Sequence, residues 1–108
     1  MYFFMVDIVK NNLDKIQEAC KLMQVEALYI FGSGARENDF NSKSDIDFLY
    51  RMIINEEGLP VGGFDYFDLM FKLEEIIGRK IDLVPEKRIR NKYFLSSILE
   101  DRIKIYEA

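Results

Sequence analysis

Asp45 and Asp47 stand one residue apart in the run Ser44-Asp45-Ile46-Asp47-Phe48. Side chains two apart on a strand share a face, so both carboxylates would point one way while Ile46 and Phe48 point into a core. Two carboxylates on one small patch, together with the phosphates of a bound nucleotide, make an oxygen-rich shell that suits Mg²⁺. Acids that cap turns or sit solvated at a strand edge show the same spacing. Upstream, Gly32-Ser33 ends an apolar run. A helix starting just after these two residues would aim unpaired N–H groups at an incoming anion, with Gly32 letting phosphate approach the backbone and Ser33 donating a hydroxyl. An ordinary turn after a strand uses the same two residues. Asp82, in Lys80-Ile81-Asp82-Leu83-Val84, is a third acid, on the face opposite Ile81 and Leu83.

These residues need a scaffold, and the hydrophobic spacing supplies one. Val9, Leu13, Ile16, Cys20 and Met23 recur at alternating steps of four and three, predicting one amphipathic helix over roughly the first two dozen positions. Val25 to Phe31 is rich in apolar, β-branched and aromatic residues and stops at Gly32, which predicts a buried strand leading into the Gly-Ser turn. Ala35 to Glu37 suits one helical turn, Asn38 to Ser44 a polar loop, and Ile46 to Met52 a second strand. Asn55 to Gly63, with Pro60 and three glycines, reads as a mobile loop. Phe64, Phe67, Met70, Phe71, Leu73 and Ile77 are expected on one broad helical face, with Gly78 as the stop. A short strand at Ile81 to Val84 closes at Pro85, a third helix is capped near Asn91 and carries Phe94, Leu95, Ile98 and Leu99, and Ile103 to Tyr106 is extended. The expected architecture is a small sheet with helices packed mainly on one face; pattern alone leaves the strand directions open.

Composition narrows the chemistry. The 108 residues contain no histidine and a single cysteine, Cys20, which excludes internal disulfides, zinc fingers and Ser-His or Cys-His nucleophiles. Carboxylates must then carry any acid–base or metal chemistry. Hydrophobic residues at 49% and charged residues at 31% fit a globular domain, and the length suits one, spanning 1–108. The apolar run near the N-terminus is broken by Asp7 and Lys10 and is too short for a membrane span, so the expected location is cytoplasmic. A net charge of -4 argues against direct nucleic-acid binding, yet it is uneven: residues 1–78 carry -7 and residues 79–108 carry +3. The basic run Lys87, Arg88, Arg90 and Lys92 either helps neutralise phosphates or forms a solvated face.

The sequence Gly32-Ser33, Ala35-Arg36 and Ser44-Asp45-Ile46-Asp47, followed by Asp82 and a YFLSSILEDRIKIYE ending, resembles the minimal nucleotidyltransferases of the polymerase-β-like superfamily. That resemblance implies an α+β (α/β) fold with a mixed sheet. It implies a reaction in which a hydroxyl attacks the α-phosphate of a nucleoside triphosphate and pyrophosphate leaves. It places Asp45, Asp47 and Asp82 as catalytic metal ligands for Mg²⁺, with two ions expected. Asp82 would complete the site that activates the acceptor hydroxyl and help receive its proton, and Gly32, Ser33, Arg36 and Ser44 would contact ATP. Arg36 is open to a second role, pairing with a structural carboxylate. The family often has glycine directly after this arginine, whereas this chain has Glu37.

A chain of this length is expected to lack its own acceptor-binding domain, so another molecule would present the acceptor. Solitary members of this kind resemble antitoxins paired with HEPN-domain ribonuclease toxins, and the resemblance implies adenylylation of a toxin tyrosine within a hetero-oligomer. Two alternatives remain open at this point: an antitoxin that acts by binding alone, and nucleotidyl transfer to a small-molecule hydroxyl.

Overall fold

The computed structural model describes residues 5–35 and 45–108. The expected N-terminal helix is divided into α1 (Asp7–Lys10) and α2 (Leu13–Leu22). Asn12 causes the break: its side-chain amide donates to the Ile8 carbonyl at 2.7 Å, the acceptor that a continuous helix would give to its own backbone N–H. The backbone N–H of Asn12 turns instead to Val9 O at 3.1 Å. The apolar stripe survives the interruption, with Val9, Ile16, Cys20 and Met23 all buried.

Strand β1 (Val25–Phe31) ends in a 3₁₀ turn, Gly32–Ala35, and strand β2 (Ile46–Met52) begins within the Asp-x-Asp motif, after Asp45. Helix α3 (Tyr66–Ile77) is started by a reciprocal cap in which Asp65 accepts from the Asp68 N–H and Asp68 accepts from the Asp65 N–H. It stops at Gly78, whose φ of 78° is left-handed. Strand β3 (Ile81–Pro85), helix α4 (Lys92–Asp101) and strand β4 (Ile103–Glu107) complete the order. Asn91 caps α4 by accepting from the N–H groups of Tyr93 and Phe94 at 2.9 and 3.0 Å. Among the described residues no helix is long and apolar enough to cross a membrane.

The sheet is mixed, in the order β3-β2-β1-β4. β1 runs antiparallel to both β2 and β4, whereas β2 and β3 are parallel, joined through α3. One face carries Leu28, Ile30, Ile46, Phe48, Tyr50, Ile81, Leu83 and Ile105 against α1, α2 and α3. The opposite face carries Ala27, Tyr29, Phe31 and Leu49, packed on Ile98 of α4. Among the described residues three helices therefore lie on one side, as expected, and α4 lies on the other.

One expected helical face is redrawn. Leu69, Leu73 and Ile77 form the buried stripe of α3, while Phe67 and Phe71 are 56% and 59% exposed. Phe71 and Leu73 are two residues apart, about 160° around the helix, so one sheet cannot cover both. The stripe with four-residue spacing wins because the sheet contacts it along three successive turns.

Candidate active site

The acid motifs meet through strand register. Phe31 of β1 pairs with Asp47 of β2, and Asp47 pairs with Asp82 of β3, which puts the two carboxylates side by side on adjacent strands. Both leave the sheet on the face opposite the buried Ile46, Phe48, Ile81 and Leu83. Asp47 is half-buried and Asp82 exposed. Asp45 precedes the first residue of β2, is exposed, and is not among the described residues lining the cleft over the pair. Among the described residues no three acidic side chains stand close enough together to hold one ion.

Gly32 lies directly against this pair. Its φ of 70° suits glycine, and a Cβ placed there would come within 2.5 Å of Asp47 Oδ2. The end of β1 thus packs its bare backbone onto the catalytic-candidate carboxylate, leaving room only for hydrogen. Ser33 follows in the same 3₁₀ turn. Arg36 and Ser44 lie outside the described residues, as do Glu37 and most of the polar loop.

Over the acids opens a cleft of about 460 Å³, bordered by Phe31, Gly32, Asp47 and Asp82 on the sheet side and by Phe94, Ser97, Ile98 and Asp101 of α4. The volume falls within the roughly 300–1,000 Å³ of small-molecule sites. The α4 contributors were not singled out as site residues by sequence reasoning. Their spacing of three, one and three residues does place them on a single helical stripe, and the polar Ser97 and Asp101 on that stripe were the available signal. At the β3 edge the cleft reaches Tyr66, whose ring centroid is 6.1 Å from that of Tyr50.

The cationic groups divide by role. Arg51 bridges Glu26 and Glu86, each at 2.8 Å, tying β1 and β2 to the turn after β3. The hydrogen bond to Glu26 is the main reason its pKa is raised, with Glu86 adding to it. Arg102, at the junction of α4 and β4, stacks 4.0 Å from the Tyr29 ring centroid. Lys87, Arg88, Arg90 and Lys92 are all exposed. Arg88 is close enough to Tyr50 for its charge to oppose part of the upward pKa shift that burial imposes on that phenol.

Two neighbouring carboxylates facing an open cleft fit a hard divalent cation, which takes one or two protein oxygens and fills its other positions with phosphate and water. The glycine-ended strand beside them fits a phosphate. Residues 14–108 match the family described as polymerase beta, nucleotidyltransferase. The chain belongs to that family.

Within the nucleotidyltransferases, the chain is 35% identical over 99 residues to "Putative protein adenylyltransferase MJ0128" of Methanocaldococcus jannaschii, covering 92% of each. Its fold matches a "putative minimal nucleotidyltransferase" at a TM-score of 0.69 and 22% identity, covering 92% of this chain and 94% of the other. It also matches, at a TM-score of 0.52 and 20% identity, a chain from a complex of a tri-AMPylated Shewanella oneidensis HEPN toxin with its MNT antitoxin, covering 92% of this chain and 72% of that one. The nucleotidyltransferase sheet of this chain therefore recurs, helices included, at identities where only the fold can be compared.

Proposed function

We propose that this chain transfers AMP from ATP to a tyrosine hydroxyl of a HEPN-domain ribonuclease toxin, releasing pyrophosphate and silencing the toxin. The observation that carries the proposal is the register pairing of Asp47 with Asp82 beside the bare backbone of Gly32, in a cleft of nucleotide size. The adenylyltransferase relative and the AMPylated HEPN complex support the choice of AMP and of a protein acceptor.

Asp47 and Asp82 would hold Mg²⁺, with Asp45 at the entrance to β2 supplying a further carboxylate as two ions are taken up. The metal, when bound, neutralises phosphate charge and favours the ionised acceptor hydroxyl. The chain's own residues position the reactants. Gly32, lacking a side chain, lets the β and γ phosphates approach the backbone, Ser33 donates its hydroxyl to a phosphate oxygen, and Arg36 and Ser44 complete the grip on the nucleotide. Asp82, on the edge strand and exposed, receives the proton of the incoming hydroxyl. The acceptor oxygen forms its bond to the α-phosphorus as the bond to the bridging oxygen breaks, and pyrophosphate leaves with that electron pair. No protein nucleophile is required, because such transfers rest on positioning and charge neutralisation.

The test is intact-mass analysis of a cognate HEPN-domain toxin, sought as the product of the neighbouring gene, after incubation with this chain, ATP and Mg²⁺. AMP adducts on the HEPN protein with wild type, and none with Asp47→Asn or Asp82→Asn, are expected. A full yield of adduct with both variants would refute the acid pair. A stable complex without any adduct would identify an antitoxin that works by binding alone.

A further inference from the structure

The exposed aromatic stripe of α3 is continuous with the cleft. Tyr66 lines the cleft at the β3 edge, its ring meets Phe67 edge-on at 5.1 Å, and Phe67 lies 6.2 Å from Phe71. Phe67 and Phe71 are more than half exposed although each carries a large apolar surface that burial would favour. They sit one turn apart on the side of α3 that faces away from the sheet. Acidic residues rim them: by helical position Asp68, Glu74 and Glu75 flank the two rings. Lys72 is the one cation on α3, and it lies 3.9 Å from Glu75. Glu74 also accepts from the Ile81 N–H at 3.3 Å.

We infer that Tyr66, Phe67 and Phe71 form the docking strip for the acceptor protein, which covers it with apolar side chains flanked by lysine or arginine. This rests on the transfer reading above and adds where the acceptor binds. Three observations choose this occupant. The strip begins at Tyr66, which also lines the cleft, so a partner seated on Phe67 and Phe71 abuts the cleft rim and has only to pass the β3 edge to present a hydroxyl to Asp82 on the other face of the sheet. An apolar centre with a charged rim is the arrangement of a protein interface rather than of a small-molecule site. The rim is negative, so the matching surface must be positive, and a second copy of the same acidic strip would set like charges against each other.

The experiment measures the Kd of a cognate HEPN-domain toxin, the kinetics of AMP transfer to it, and the stabilisation of this chain by Mg²⁺ and ATP. The Phe67→Ser/Phe71→Ser double variant is expected to weaken Kd by about 30-fold or more, the threshold of an interface hot spot. It should raise KM for the HEPN protein, leave kcat at saturating acceptor within about twofold, and leave the nucleotide-dependent stabilisation unchanged. Glu75→Lys should weaken binding without touching an aromatic ring or the cap of α3, and added salt should weaken the wild-type complex. Asp47→Asn should keep Kd and lose transfer. A serine variant that binds and transfers like wild type overturns the docking strip and leaves the transfer reading standing. Wild type that binds through the strip but transfers no AMP overturns the transfer reading and keeps the strip. If the serine substitutions instead dissociate a homodimer and spare the HEPN complex, the strip is a self-association face and the inference is wrong.

Discussion

Replacing Gly32 and Gly78 separately with alanine separates a backbone cost from a functional one. Both glycines are left-handed, with φ of 70° and 78°, so alanine at either site should lose about 1–2 kcal/mol of stability. For a domain of this size each kcal/mol lowers Tm by about 4–8 °C. Around Gly78 nothing lies within 4 Å of an added Cβ, so the cost there is conformational only. At Gly32 the same atom meets Asp47 Oδ2 at 2.5 Å. A carboxylate oxygen at the end of a rotatable side chain can swing away cheaply, so the additional loss of stability should be small. The swing must nevertheless reach about 1 Å to restore ordinary contact, and a displacement of that size at a reacting group costs about 100-fold in rate. Chemical and thermal unfolding should therefore rank the two variants together. AMP transfer and the Tm increase caused by Mg²⁺ with ATP should separate them, with Gly78→Ala near wild type and Gly32→Ala about 100-fold slower. Equal transfer rates in the two variants would show that the contact between Gly32 and Asp47 does not set the position of that carboxylate.

Other substitutions probe the supports of the cleft. Asn91→Ala removes both capping bonds at the start of α4 and should cost about 1 kcal/mol by urea unfolding. Because α4 forms one cleft wall, the same variant should show a higher KM for ATP. Arg51→Met leaves Glu26 and Glu86 unbridged; these groups are partly exposed, so the loss should stay at about 1 kcal/mol or less and shrink further in high salt. Cys20 is fully buried, and burial pushes its thiol up from 9.0 to about 12. It should resist alkylation at pH 8 until the chain is unfolded. Since the unfolded thiol ionises near 9.0 and the folded one only near 12, its contribution to stability is complete below pH 9 and is lost as pH rises toward 12. The Cys20→Ser variant should lack that alkaline decline, which pH-dependent denaturation would reveal.

What the sequence by itself determined was local. The strand that ends at Gly32, the left-handed stop at Gly78, the cap at Asn91 and the opposite facing of Asp82 and its apolar neighbours each depend on a few adjacent residues. Backbone sterics, short hydrogen bonds and the two-residue strand repeat act at that range, so they can be read directly. The side-chain bond of Asn12 acts at that range too, but the continuous apolar stripe concealed it.

Tertiary structure decided the rest. Asp47 meets Asp82 only because β2 and β3 pair in parallel with one particular register, and a slip of one residue would turn the second acid to the other face. α4 became a cleft wall because it packs through Ile98 on the side of Tyr29, Phe31 and Leu49, which its own amphipathic spacing cannot specify. Phe67 and Phe71 stayed in solvent because the sheet took Leu69, Leu73 and Ile77. A helix with more apolar residues than one contact surface can cover presents more than one candidate face. The choice among them belongs to the surface it meets, which is assembled from residues distant in the chain.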